Sequence, residues 1–482
     1  MALEQHFDII IIGGGVIGAL IAREVSKYNA KVLVLEKNND VCSETSAANS
    51  AIVHSGYDPV PGTLKAHFNV ASIPLFPKLC QELDVEFHQI GSLTVAMSEA
   101  DLPRLKHLEE QAALNNVPVQ ILNRDDVLIF EPKINKAVSG ALFAPTAGVV
   151  NPFELTIHAM ENAIDNGVEL LLNEKVEGIF KVDDGWKVVS ASGKAFITKA
   201  IVNAAGVHAD KIARLVGDDS FFIKPRKGSY YVLDHFDNNF VNHVIFPMPS
   251  EKGKGILLTP TTSRNYLVGP SSEFSGDTLD VATDTLTMEN IKQNAINLLP
   301  DIPFHQVIRV FSGLRATPST GDFIIKEASN ARGFYNVAGI ESPGLAAGPA
   351  IAKHVVEQLL TPYLGLIAKE DFNPFVKPYI HVARLDHESR HKLTEINKQY
   401  ADIVCNCEQV SLGEILDTLT RSCPPHSLKA VKNRTRAGFG KCQGGVCQLR
   451  LIKILADYYG ISPTDVVYGN EDSHFLREES KK

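Results

Sequence analysis

The chain has 482 residues, 44% hydrophobic and 21% charged, with a formal net charge of -9. That length exceeds what one hydrophobic core organises, so two or three domains are expected, and the composition excludes a disordered or fibrous chain. The negative balance excludes a general nucleic-acid partner, because phosphate binding needs clustered Lys and Arg.

Residues 7–36 read as strand, glycine turn, helix and strand: FDIIIIGGG, VIGALIAREVSKY, KVLVLEK. Phe7 to Ala22 is very apolar, but Gly13, Gly14, Gly15, Gly18 and Asp8 interrupt it, which makes it a poor membrane span. No basic stretch precedes it and no small-residue cleavage site follows, so the cytoplasm is the expected location. Peripheral association with a membrane stays open.

Gly13-x-Gly15-x-x-Gly18 joins the first strand to the helix, and Glu36 ends the next strand 18 residues after Gly18. Such glycines let backbone approach a pyrophosphate at a helix N-terminus, and Glu36 can accept from ribose hydroxyls, which favours FAD or NAD over NADP. A second fingerprint is missing, and EKGKG at 251–255 lacks a strand and helix around it. FAD is therefore the expected cofactor, with a redox partner other than NAD(P)H.

Further along, PFELTIHAMENAIDNG is helical by periodicity, while VELLLNEKVEGIF, AIVNAAGVHAD and FYNVAGI read as strands. AAGPAIAKHVVEQLL reads as a helix. The expected fold class is α/β: a Rossmann-like FAD-binding domain in three segments (1–83, 145–215, 308–361), interleaved with a mostly antiparallel β substrate domain (84–144, 216–307). Residues 362–400 read as a linker wrapped over the surface, 401–465 as a small cysteine-rich domain, and 466–482 as a tail.

The stretches TSAANSAIVHSGY (45–57), NAAGVHAD (203–210) and GIESPGLAAGPAIA (339–352), with Glu36, resemble the D-amino-acid-oxidase-like superfamily of FAD enzymes over about residues 7–361. The resemblance implies that Ser46, Asn49 and Ser50 lie beside the flavin ring and that Ala205 and Gly206 approach the nucleotide. It also implies that Gly339, Ile340, Gly344 and Leu345 close over the ring. Read from the residues, GIESPGLAAG is helix-initiating, so its N–H groups can stabilise a reduced flavin; the same small residues also serve close helix packing.

Oxidising an alcohol on a flavin needs a base for the hydroxyl proton, and His54 in VHSG, directly after the flavin-proximal segment, is the best candidate. Arg315 in FSGLRATP can bind a carboxylate or phosphate bidentately, and Arg226, Lys227 and Tyr231 in KPRKGSYY are further substrate-anchor candidates. HSGYDPVPGTLKA (54–66) looks like L-2-hydroxyglutarate dehydrogenases, whereas the whole layout is similar to the large subunit of anaerobic glycerol-3-phosphate dehydrogenases. Where the latter usually carry an arginine after the His-x-Gly turn, this chain has Tyr57 and Asp58.

Cys405-x-Cys407 and Cys442-x4-Cys447 can close on a metal centre, either structural zinc or a 2Fe-2S cluster. IVCNCEQV and TRAGFGKCQGGVC resemble the bacterioferritin-associated-ferredoxin type of 2Fe-2S domain, which implies a cluster on these four cysteines. Lys432, Arg434, Arg436 and Lys441 can offset cluster charge, and Gly438, Gly440, Gly444 and Gly445 can aim N–H groups at sulfur. Cys423 reads as a non-ligand, and Cys42 and Cys80 as small buried residues. The expected activity is a dehydrogenase that passes hydride from a small anionic hydroxy compound to FAD, with electrons leaving through the cluster to a quinone or partner protein. Among substrates, sn-glycerol 3-phosphate ranks first and L-2-hydroxyglutarate second; a flavin-bearing scaffold with structural zinc is the non-enzymatic alternative.

Overall fold

A computed structural model describes residues 5–237, 239–249 and 255–478; nearly all of the EKGKG run at 251–255 lies outside the described residues. β1 (Gln5–Ile12), α1 (Val16–Val25) and β2 (Val32–Leu35) form the expected βαβ opening. Ile9–Ile12 and all of β2 are buried, as parallel strands covered on both faces require. α2 (Pro152–Asp165) is started by Asn151, whose side chain accepts from the amides of Phe153 and Glu154, with Pro152 at its first position.

β3 (Ala195–Asn203), β4 (Ile223–Leu233), β5 (Val307–Pro318), β6 (Ala331–Ala338) and α3 (Gly344–His354) follow. Glu169–Leu171, β2, β1, β3 and β6 run parallel in that order, and three antiparallel strands complete an eight-stranded sheet. α1 packs against α2 and α3 over it.

The second sheet has nine strands and is antiparallel except where Val244–Pro247 runs parallel to Ser92–Ala96. Its strands come from both expected substrate segments, and also from β5, which pairs with β4 from Ile223 opposite Pro318 to Leu233 opposite Val307. The expected return to the FAD-binding domain at 308 thus comes later, at Ile324–Ala328. An apolar strand fits either sheet by its periodicity; only the pairing partner decides.

The C-terminal unit comprises α4 (Leu412–Leu419), α5 (Leu428–Thr435) and α6 (Gln448–Tyr459) around its own core, which includes Val404, Ile415, Val431, Leu451 and Leu455. Ser411 and Glu414 form a reciprocal capping box at the start of α4. Residues 362–400 strap across the first domain, where Pro374 and Asn373 carbonyls accept from Arg23 and Asn162. No helix among the described residues is long and apolar enough to cross a membrane.

Candidate active site and cluster centre

The glycine loop is built around contacts that no side chain tolerates. A Cβ on Gly13, at φ +113°, would lie 2.5 Å from the Ala204 carbonyl oxygen, and one on Gly18 would lie 1.9 Å from that of Gly13. Gly15 caps α1 without a side-chain acceptor, and the first turn holds no acidic residue, so its amides suit an incoming diphosphate. The Glu36 carboxylate, buried and with its pKa raised by that burial, accepts from the Gly14 amide at 2.6 Å and the Asn38 amide at 2.9 Å. Ser46 Oγ accepts from the Val16 amide at 2.8 Å, bringing the 45–50 segment to the same helix end. Asn49 braces that segment by donating to the Ser46 carbonyl at 2.8 Å.

On the far side, β3 leads into Ala204, Ala205 and Gly206, and a Cβ on Gly206 would meet open space. Gly339, at φ +65°, and Ile340 lead into α3, which begins at Gly344 and Leu345. Two helix N-termini and a glycine cradle are thus joined in one domain, and these residues fit FAD. Close helix packing is present as well: a Cβ on Gly348 would lie 2.8 Å from Leu20 of α1.

A candidate substrate face is set by the period of two along β4 and β5. Arg226 lies directly opposite Arg315, Gly228 opposite Gly313, and Tyr230 opposite Phe311. These six share the face that meets the flavin-proximal segment. A Cβ on Gly313 would lie 2.2 Å from the Ala48 carbonyl oxygen, and the Tyr230 and Ser50 hydroxyls are hydrogen-bonded at 3.0 Å. Arg315 Nη2 donates to the Ser271 carbonyl at 3.1 Å. Arg226 Nη2 donates to Glu341 at 2.7 Å, while its Nε is buried with no partner. Glu341 also takes Lys65 at 2.8 Å and the Thr317 hydroxyl at 2.7 Å, and its pKa is lowered by these partners against the cost of burial.

Lys227 and Tyr231 fall on the opposite face, apart from the other anchor candidates. Lys227 is paired with Asp280 at 2.9 Å, and the Tyr231 ring packs edge-on against Phe304. Tyr230, absent from the candidates that the sequence suggests, shares the face of Arg226; counting in twos from Arg226 finds it. His54 follows the short strand Ile52–Val53, with its ring 5.8 Å from Phe246 and its carbonyl accepting from Asn69 at 2.6 Å. Tyr57 is buried, with its hydroxyl 2.5 Å from that of Thr94, so it packs the substrate domain.

In the C-terminal domain the four cysteines lie close together, Cys405 beside Cys447 and Cys407 beside Cys442. The Cys405 pKa is lowered to about 6, first by the Cys447 thiol and then by the Gly438 and Glu408 amides. Cys442 is lowered by the amides of Val446 and Gly444. Such N–H donors are what a sulfur-ligated cluster needs. Among the described residues no three His, Cys, Asp or Glu side chains close round one metal position. Four thiols gathered beside backbone N–H donors suit the four-cysteine ligation of a 2Fe-2S cluster.

The expected basic surround of the cluster is reduced. Arg434 is buried in an ion pair with Asp40 of the first domain, Arg436 is bound to Glu408, and Lys441 is exposed, while Lys432 is buried over the Phe439 ring. Cys423 is buried against Arg434, away from the four, and burial pushes the thiols of Cys42 and Cys80 up to about 12. Phe439, three residues before Cys442, packs 5.5 Å from Phe153 at the start of α2. Sequence spacing gives no sign of that contact.

Known proteins share the same two-part layout. Residues 8–358 match the FAD dependent oxidoreductase family model, and residues 403–457 match the BFD-like [2Fe-2S] binding domain. The chain is 42% identical to the glycerol 3-phosphate dehydrogenase of Caloramator mitchellensis over 476 residues, 98% of this chain and 99% of that protein. It is 35% identical to the glycerol 3-phosphate oxidase of Mycoplasma genitalium over 77% of this chain and 98% of that protein. The FAD-bound L-alpha-glycerophosphate oxidase of Mycoplasma pneumoniae superposes with a TM-score of 0.75 at 30% identity, covering 78% of this chain and all of that one. The chain belongs to the FAD-dependent oxidoreductase family and carries a C-terminal 2Fe-2S domain of the BFD-like type.

Proposed function

We propose that this enzyme is a dehydrogenase that oxidises sn-glycerol 3-phosphate at its secondary hydroxyl and passes the electrons to a quinone or a partner protein. The observation that carries this reading is the anion seat on the flavin-facing side of β4 and β5. Arg226 and Arg315 lie side by side there, Arg226 has a buried unpartnered Nε–H, and Glu341 is shared between Arg226 and Lys65. Three cations against that one carboxylate suit a phosphate dianion. Similarity over nearly the whole chain to a protein named glycerol 3-phosphate dehydrogenase supports the same reading, and that similarity includes the cluster domain.

Bound FAD supplies the hydride acceptor, and the 2Fe-2S cluster supplies a one-electron exit. The chain's own residues bind and orient the substrate. The two guanidinium groups hold the anionic head, the Tyr230–Ser50 hydrogen bond ties their strand to the flavin-side segment, and His54 takes the hydroxyl proton on its ring nitrogen.

A second reading, L-2-hydroxyglutarate, is favoured by one feature: Tyr57 is packed into the substrate domain, where the glycerol-phosphate pattern expects arginine near the substrate. Anaerobic mixing separates the two. Glycerol 3-phosphate is expected to bleach the flavin within one turnover; bleaching by L-2-hydroxyglutarate alone would transfer the assignment, and bleaching by neither would defeat both.

A further inference from the structure

The turn that follows His54 is held by side-chain amides. Asn69 donates to the His54 carbonyl at 2.6 Å, and Asn115 to the carbonyls of Gly56 at 3.1 Å and Pro59 at 2.8 Å. Gln111 donates to those of Tyr57 at 3.2 Å, Asp58 and Pro59. Gln111 and Asn115 stand four residues apart on one face at the end of the helix Leu102–Leu114, which packs on the second sheet. Asn69 lies in the helix Leu64–Ser72, which packs on α3. That helix is itself pinned: Asp322 accepts from the Leu64 amide at 2.7 Å, and Ser72 Oγ accepts from the Ala350 amide of α3 at 2.9 Å. Gly56, at φ +94°, lets the turn press against it, since a Cβ there would lie 2.7 Å from the Val70 side chain. His54 is thus referenced to the second sheet and, through α3, to the flavin-closing segment.

Asn69 is fully buried, and its Oδ1 has no partner among the described residues. A buried unpaired acceptor is a standing cost to the fold that a leucine of similar size does not carry. What the amide serves is the His54 carbonyl. Carboxamides suit that task, because they donate to carbonyls and do not titrate. On its other side the His54 ring packs 5.8 Å from the ring of buried Phe246. Backbone and ring are therefore both held. Proton transfer needs hydrogen-bond reach, and a misplacement of about 1 Å costs on the order of 100-fold in rate.

We propose that Asn69 and Asn115 are positioning residues for the oxidation: their amides lock the His54–Pro59 turn so that the imidazole meets the substrate hydroxyl at a fixed distance, a role that rests on His54 being the base.

Asn69→Leu and Asn115→Leu are compared with wild type, each carrying FAD and its cluster. Anaerobic bleaching of the flavin by saturating glycerol 3-phosphate is expected to slow about tenfold or more in each, with the substrate dissociation constant kept within about twofold. The flavin melting temperature should hold in Asn69→Leu, which a purely structural role would not allow. In a His54→Ala background neither substitution should slow bleaching further. Histidine labelled at Cε1 gives a readout without turnover: the His54 ring signal, assigned by its loss in His54→Ala, should shift or broaden in each variant. An unmoved ring signal, a bleaching rate within about twofold of wild type, or a loss of rate that persists without His54 overturns the proposal. If His54→Ala itself bleaches at the wild-type rate, the base assignment falls, and a ring signal moved by Asn69→Leu then shows that the clamp holds the ring all the same. If Asn69→Leu does not load flavin, Asn115→Leu, at the helix end, decides between these outcomes.

Discussion

Arg434 of the cluster domain and Asp40 of the flavin domain form a two-bond ion pair, 2.8 Å at each contact, with both side chains buried. Breaking such a pair leaves one charge uncompensated and costs about 3–5 kcal/mol. Asp40→Asn is therefore expected to undock the cluster domain at a lower temperature than the wild type, seen as early loss of cluster absorption on heating. Coincident, unshifted melting of flavin and cluster signals would show that the pair does not hold the domains together.

His54→Ala is expected to slow anaerobic flavin bleaching by substrate roughly 100-fold or more, if the imidazole takes the hydroxyl proton. Stopped-flow absorbance measures this directly. An unchanged rate removes His54 from the chemistry.

The two faces of β4 make a paired prediction about the anion seat. Arg315→Met removes a guanidinium from the flavin-facing side and should raise KM by about 10- to 100-fold, the value of one or two charge-assisted hydrogen bonds. Lys227→Met, on the far side against Asp280, should leave KM within about twofold. Equal effects of the two in steady-state assays would overturn the assignment of faces.

Cys442→Ser should abolish the cluster while the flavin still binds and is still bleached by substrate, because the two cofactor sites belong to separate cores. Turnover with a one-electron acceptor should fall by at least about tenfold. Iron analysis and visible spectra give the first result and acceptor-linked assays the second.

Glu154 gives a pH dependence of stability. Burial raises its pKa from 4.5 to about 7, against the favourable Glu86 amide. The folded state thus holds the proton more tightly than the unfolded state. This contribution is complete below pH 4.5 and is lost as pH rises through about 7, with a total of about 3 kcal/mol. Glu154→Gln should flatten the melting temperature across that range; an unchanged slope in thermal melts would exclude Glu154 as its source.

Much of this layout is legible in the sequence because it rests on local rules. Gly13, Gly15 and Gly18 are dictated by backbone approach within a few residues, and the four cysteines announce themselves by spacing. The face of Tyr230 is equally local but requires fixing the phase of β4 from Arg226. The rest depends on partners distant in the chain. Nothing in FSGLRATP says that β5 pairs with β4, and nothing beside Cys442 says that Arg434 will leave the cluster for Asp40, 394 residues away. A basic run near a metal motif reads as counter-charge until the neighbouring domain is in view.

β5 touches every station in turn. Arg309 reaches Gln443 next to Cys442, Gly313 lies against Ala48, and Arg315 stands beside Arg226. Six residue steps of extended chain span about 20 Å. That single strand acts as a gauge bar: its Arg315 end, beside Arg226, and its Arg309 end, on Gln443, are held at a set separation. A one-residue deletion between Arg309 and Arg315 would shorten the bar by only about 3 Å, but it would also turn one end to the wrong side, so the proposed anion seat and the contact with the cluster domain would lose alignment together.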